Sequence, residues 1–492
     1  MKTQIKNKGS ITMEILLAFT ILILCLSAVI LVGFGNQKIT VDSEINIEAL
    51  SKAGKVLEDA RALSRQDYPS VTATTGTETV NGLQYTKTLS INDITQCKKQ
   101  AMSTITWTTE GRSQKIELVT YLSDIAGAMT LGGDCIGEPG PNWNNPKKFA
   151  SDNMSPGKST AIDISNRIAY LGSDKNPYFY IADTRSATLG QTSGLFVTFT
   201  NNFTTDDTIN SLDAVHNSTT DKNYVFAVLA SSTAQLIVID TTDIYNPTLV
   251  AKKRLSACVA GSFPEGWRLY YYKDRIYLTT RYTAGPEFHI FNVSDPTNPV
   301  EFSIGSVGCK GLDLGNTVNG MVVAEQKIGG ITKRFIYFAT DESDKELRVF
   351  DITSSINPIE VTTANQDLSG AQNGQSVYII GNKLFFGRQS TPSGPDLYVY
   401  NISDPFSGLP LLGSKDITTG VLQIRVSGKF AFLATPQSNK EFQVWDISDL
   451  SNISLIKAYN FGNIVEQGVD YEPDWIYATG QATPNFQMLY NQ

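Results

Sequence analysis

Few side chains in this sequence are placed for chemistry. The two histidines, His216 and His289, have no Cys or His at metal-ligand spacing and read as strand residues. No GxSxG elbow and no P-loop occurs, so a His-dependent triad or a nucleotide site has no basis. Asp341, Asp344 and Glu346 share one loop without EF-hand spacing, and read as solvated charges rather than calcium ligands. We therefore expect a chain that is not an enzyme and needs no metal or cofactor. One constellation remains. Gly9-Ser10 lies just before an apolar run, and Glu14 stands at its start. A carboxylate there is costly unless it finds a partner.

The element that positions these residues is the apolar run from Ile15 to Phe34, preceded by Lys2, Lys6 and Lys8. Twenty helical residues span about 30 Å, the thickness of a bilayer core. The lysines would hold the N-terminus on the cytoplasmic side. The expectation is a single membrane span. Helical periodicity continues through Ile47, Leu50, Ala53, Val56, Leu57, Ala60 and Leu63 and stops at Pro69-Ser70.

Lys8-Gly9-Ser10 with Glu14 ahead of that span resembles the leader of type IV prepilins. The resemblance implies cleavage by a prepilin peptidase between Gly9 and Ser10 and methylation of the new amine. It makes Glu14 an assembly residue and other pilin subunits the partners of the helix. Ser10 stands where the family usually has Phe or Met. The implied location is the inner or cytoplasmic membrane before assembly and an extracellular filament afterwards.

Strand-like alternation follows in Leu83–Ile91, Met102–Thr108 and Lys115–Leu122, with a hairpin turning at Glu110-Gly111. This part resembles the sheet of minor pilins. Cys25 falls in the apolar run; Cys97, Cys135, Cys258 and Cys309 fall outside it, and an even number there suggests disulfides. A Cys97–Cys135 bridge would staple the small domain.

From residue 145 to the end the sequence repeats. A strand ending in Asp or Asn recurs at Asp183, Asp240, Asn292, Asp351, Asn401, Asp446 and Asn491, and three copies carry a Pro seven residues on, Pro247, Pro299 and Pro358. The copies include Leu236-Ile237-Val238-Ile239-Asp240 and Phe442-Gln443-Val444-Trp445-Asp446, each preceded by another apolar strand. The motif resembles the LVIVD repeat of extracellular β-propellers, and seven copies suit seven four-stranded blades. The last copy stops at Asn491-Gln492, whereas Asn145-Pro146-Lys147-Lys148-Phe149-Ala150 has the form of the missing outer strand, so that strand should close the ring.

The expected fold is thus a long transmembrane and pilin-type helix with a small antiparallel sheet (α+β), followed by an all-β seven-bladed propeller closed by an N-terminal outer strand. The expected divisions are leader 1–9, helix 10–66, small β domain 67–131, Gly/Pro linker 132–144 and propeller 145–492. With 18% charged residues and a net charge of −8, nucleic acid is disfavoured as a partner.

These parts together point to a minor pilin that displays a propeller at the cell surface, at a filament tip, for adhesion or recognition of a protein or glycan. Two alternatives stand beside it: a tethered propeller enzyme acting on surface polysaccharide, and a component of a type II secretion pseudopilus. A deep acid-lined central pocket would favour the enzyme; a shallow polar face would favour adhesion. The candidate ligand contacts are Phe263, Trp267, Arg281, Tyr282 and Arg388, because aromatics and arginine dominate interface energies. Cys258 and Cys309 fall at matching points of adjacent blades, where a bridge would stiffen that rim.

Overall fold

Alternating apolar positions on one helix meet an alternating sheet in the first of two compact units, Met1–Gly127 and Ala128–Gln492. The computed structural model describes residues 10–66, 68, 70–95, 98–109, 111–123, 143–197, 208–217, 220–231, 233–255, 264–282, 284–305, 310–370, 372–389, 394–461, 466–472, 474–481 and 483–490.

In the first unit, helix α1 (Ser10–Gln66) lies on a four-stranded antiparallel sheet of consecutive strands, Thr74–Val80, Leu83–Thr95, Lys98–Thr109 and Arg112–Ser123. Ala49, Ala53, Leu57 and Ala60 fall on one face and are buried. Ala49 and Ala53 pack on Tyr85, Ile105 and Trp107, while Leu57 and Ala60 pack on Leu89, Ala101 and Leu122. The hairpin forms, with Thr109 paired to Arg112 and Gly111 at φ 77°. The strand Thr74–Val80 was not foreseen, although Val80-Asn81-Gly82-Leu83 carries the signal. Asn81 (φ 50°) and Gly82 (φ 80°) make the two-residue turn whose twist matches the strands it joins.

The membrane span is corrected. Among the described residues no helix is long and apolar enough to cross a membrane. The second half of the helix is given to packing on the sheet and to ion pairs such as Lys52 with Glu48 and Glu78. The transmembrane helix of the expected fold, and the membrane location before assembly that rested on it, are corrected to that extent.

The second unit is seven antiparallel four-stranded sheets. Calling the strands a to d from the centre outward, blade 1 is Ser159–Ser165, Ile168–Ser173, Phe179–Asp183 and Phe196–Val197. Blade 2 is Ile209–Asn217, Lys222–Leu229, Leu236–Asp240 and Thr248–Lys253. Blade 3 is Gly266–Tyr272, Arg275–Thr280, Phe288–Asn292 and Val300–Glu301. Blade 4 is Val318–Ile328, Ile331–Thr340, Leu347–Asp351 and Ile359–Glu360. Blade 5 is Gly374–Ile380, Lys383–Arg388, Leu397–Asn401 and Leu411–Lys415. Blade 6 is Gln423–Ser427, Phe430–Ala434, Phe442–Asp446 and Ser454–Tyr459.

Blade 7 joins both ends of this unit: Glu466–Glu472, Trp475–Gly480 and Phe486–Tyr490 take Lys147–Asp152 as strand d. The ring is closed by hydrogen bonds and leaves no open edge between first and last blades. Trp143, expected in the linker, is instead fully buried against Phe432 in the core between blades 6 and 7.

Strands b and c of each blade are sandwiched between neighbours, so both faces are dry. That is why they read as unbroken apolar runs rather than alternating ones. Phe288 and Ile290 of blade 3, for instance, pack on Val323, Phe338 and Phe350 of blade 4. At the end of strand c the recurring Asp or Asn closes the turn. Its Oδ1 accepts a backbone N–H two residues on at Asp183, Asp240, Asn292, Asp351, Asn401 and Asp446, over 2.8–3.1 Å.

Candidate functional site: the central channel

The seven strands a line a central channel that encloses about 480 Å³. Their pairing with strands b defines its tiers. Opposite the aromatic positions Tyr170, Phe226, Tyr277, Tyr337, Phe385, Phe432 and Tyr477 stand, blade by blade, Asp163, Asp213, Tyr270, Val322, Tyr378, Arg425 and Asp470. Two residues earlier on strands a, the tier is small except for Arg268 and Gln423: Ala161, Ser211, Gly320, Ser376 and Gly468 complete it. Small residues in that upper tier leave the room.

Three carboxylates therefore come from consecutive blades 7, 1 and 2. Each is aimed by the next blade. Asp470 Oδ2 accepts from Ile164 N (2.8 Å), Asp163 Oδ2 from Ala214 N (2.6 Å) and Asp213 Oδ2 from Tyr271 N (2.5 Å). The second oxygen of Asp470 takes Arg425 Nε at 2.8 Å. Oδ1 of Asp163 and of Asp213 has no protein donor among the described residues.

Burial, followed by repulsion from Asp470 and Asp213, holds the Asp163 carboxyl well above the usual range. Burial pushes Asp213 up to about 7, and the charge of Asp470 adds to it. Burial alone would lower Arg425, but the facing Asp470 more than offsets it and keeps the guanidinium charged. The tier can thus hold or release protons near neutrality, and can accept a cation.

Arg268 in the upper tier is different. Its Nε donates to Asn319 O (2.6 Å) and its Nη1 to Asn210 O and Trp267 O (3.2 and 3.3 Å). It has no carboxylate partner among the described residues. Burial and the nearby Arg281 lower it to about 10.

The ligand contacts expected from sequence are distributed unevenly. Trp267 lies between two guanidinium groups, Arg281 at 4.1 Å and Arg268 at 4.2 Å from its ring. Tyr282 follows at the surface, 61% exposed. Arg388 does not belong to this group. It is buried, with its guanidinium on Glu346 (3.0 Å) and on the carbonyls of Ser369, Gly370 and Gln372. As a ligand contact it is corrected, since the fold has claimed those donors. Glu346 is likewise buried rather than a solvated loop charge.

Phe263 lies outside the described residues, as do Cys97, Cys135, Cys258, Cys309 and Gly9. Ser10 and Glu14 fall in α1, with side chains outside the description. Cys25 is a free, exposed cysteine.

The channel acids were legible but not read. Ile162-Asp163-Ile164, Leu212-Asp213-Ala214 and Val469-Asp470-Tyr471 each place Asp between apolar residues at one blade position. Also missed was a second repeating polar position, the residue just before strand c. Gln235, Glu287, Glu346, Asp396, Glu441 and Asn485 are all buried there. Each accepts a backbone N–H from a connection between blades: Leu255, Leu314, Leu368, Ile417, Phe461 and Met154, over 2.7–3.1 Å.

A family model for the LVIVD repeat matches residues 421–461, which are blade 6. The propeller contains an LVIVD repeat. No curated protein matches the chain. Among solved structures, the computationally designed Ika8 protein is similar at 10% identity and TM-score 0.44, over 70% of this chain and 100% of that one. A protein from Lactobacillus plantarum is similar at 12% identity and TM-score 0.43, over 61% of this chain and 84% of its own. BamB from Moraxella catarrhalis is similar at 12% identity and TM-score 0.38, over 68% and 83%.

Proposed function

We propose that this chain is a recognition protein: the propeller takes a ligand at its central channel, and helix α1 packs with pilin-type subunits. The observation that carries the reading is the channel itself. Its wall is contributed by all seven blades and bears charged groups, two of which keep an oxygen free of protein donors among the described residues. For the helix, support comes from the order Gly9, Ser10, Glu14 and from Phe19, Ile21, Leu22, Ile23, Leu24 and Leu26, each more than half exposed. The bulk of the propeller suits an end position or sparse positions in such an assembly. Glycan and protein arrays probed with the full chain test the recognition reading. A bound ligand that is lost in the Asp163→Asn/Asp213→Asn double variant supports it. Binding that is unchanged in that variant refutes the channel as the site. Mass spectrometry should find Ser10 at the mature N-terminus, and an intact Met1 would refute pilin-type processing.

The acid-lined channel favours one second reading, a hydrolase acting on polysaccharide, with a protonated and an ionised carboxylate as its acid and base. Release of reducing ends from a polysaccharide panel, abolished in the same double variant, would select it over binding alone.

A further inference from the structure

We infer that the channel ligand is a small zwitterion, held with its cationic group at the acid tier and its anionic group at Arg268. The inference rests on the channel being the recognition site. Two observations carry it, one from each tier.

In the lower tier Asp163 and Asp213 each present one oxygen without a protein donor among the described residues, while the other is pinned by the adjacent blade. Arg425 pairs directly with Asp470 and acts on Asp163 and Asp213 only through its charge. Tyr270 and Tyr378 stand in the same tier, the Tyr378 ring with the Arg425 guanidinium 5.7 Å from its centre. In the upper tier Arg268 is the other arginine of the channel wall, and among the described residues it meets carbonyl oxygens and the Trp267 ring but no carboxylate. Elsewhere in the propeller a buried arginine has its carboxylate: Arg388 has Glu346 and Arg348 has Glu360. The channel thus holds, at one level, two carboxyls that a bound cation would ionise and, at the next, a guanidinium without a carboxylate among the described residues. Burial acts on both in the same sense, raising the acids and lowering Arg268.

The two levels are two residues apart along strands a, or about 7 Å. An ω-amino acid with a five-carbon spacer between amine and carboxyl spans that distance, and a volume of about 480 Å³ admits it. A ligand with only one of the charges would leave the other level buried and unmatched.

The test is calorimetric titration of the full-length chain at pH 7 with 6-aminohexanoate, hexylamine and hexanoate. The zwitterion should bind at least tenfold more tightly than either singly charged probe. Arg268→Gln should bring its affinity down to that of hexylamine, and Asp213→Asn should bring it toward that of hexanoate. Far-ultraviolet circular dichroism confirms that each variant is folded, and Arg268→Lys, which keeps the charge, should retain binding if Arg268→Gln does not fold. Equal binding of hexylamine and 6-aminohexanoate overturns the inference, as does absence of binding by all three. If an array ligand is nevertheless lost in the Asp163→Asn/Asp213→Asn variant, recognition at the channel stands and only the zwitterion is refuted.

Discussion

Two sets of buried acids in the propeller differ in what their neighbours ask of them. The acids before strand c, such as Glu287, Glu346 and Glu441, sit between blades where water is excluded. Glu346 shows how completely they are used: one oxygen holds Arg388 and the other holds Leu368 N. The acids in strand a sit at the channel, and Asp163 and Asp213 give only one oxygen each to the fold. The same residue type is mortar in one place and an open valence in the other. Position in the blade decides which, because strand c is covered on both faces and strand a is not.

Breaking the first set should have the largest effect. Glu346→Ala leaves Arg388 buried with its carboxylate gone, and should cost about 3–5 kcal/mol in urea unfolding. A loss below 1 kcal/mol would show that the pair is not the tie it resembles.

Asp213→Asn should act in the opposite direction. The folded-state value near 7 lies above the ordinary value of about 3.9, so between those pH values the folded chain binds more protons than the unfolded one. This group's contribution therefore makes stability fall as pH rises from about 4 to about 7, with no further change above. Asp213→Asn should flatten that slope and stabilise the chain at pH 8, on the order of 1 kcal/mol once channel water is allowed for. Thermal melts of both proteins at pH 5 and pH 8 check it; an unchanged slope removes Asp213 from the tier's proton balance.

A smaller effect belongs to the turn-closing set. Asp446→Ala removes the acceptor of Ser448 N and Ser448 Oγ and should cost about 1 kcal/mol. Smallest of all is Tyr282→Ala, at a well-exposed position, which should shift stability by less than about 0.5 kcal/mol. If Tyr282→Ala destabilised as much as Asp446→Ala, the rim would be part of the core rather than a free surface.

The architecture of the propeller was written in the sequence because its period is local. Asp or Asn at the end of strand c, the apolar strand before it, and the orphan strand after Pro146 suffice to count blades and to close the ring. The same local logic failed for the apolar run near the N-terminus, where length and hydropathy suggested a span that the described helix does not provide. The sheet under α1 was legible in three strands, and its first was lost because Thr74–Val80 is polar and mostly exposed.

What only the tertiary structure decided is the fate of individual charged residues. Arg388 and Arg268 are each an arginine in or beside a strand, and nothing local tells them apart. Closing the ring sets Arg388 against Glu346 from the preceding blade and gives Arg268 carbonyl oxygens and the Trp267 ring but, among the described residues, no carboxylate. Likewise Asp163, Asp213 and Asp470 are scattered over some 300 residues, and only the meeting of blades 7, 1 and 2 makes them one site. Periodicity is a property of neighbours along the chain, whereas charge compensation depends on neighbours across it.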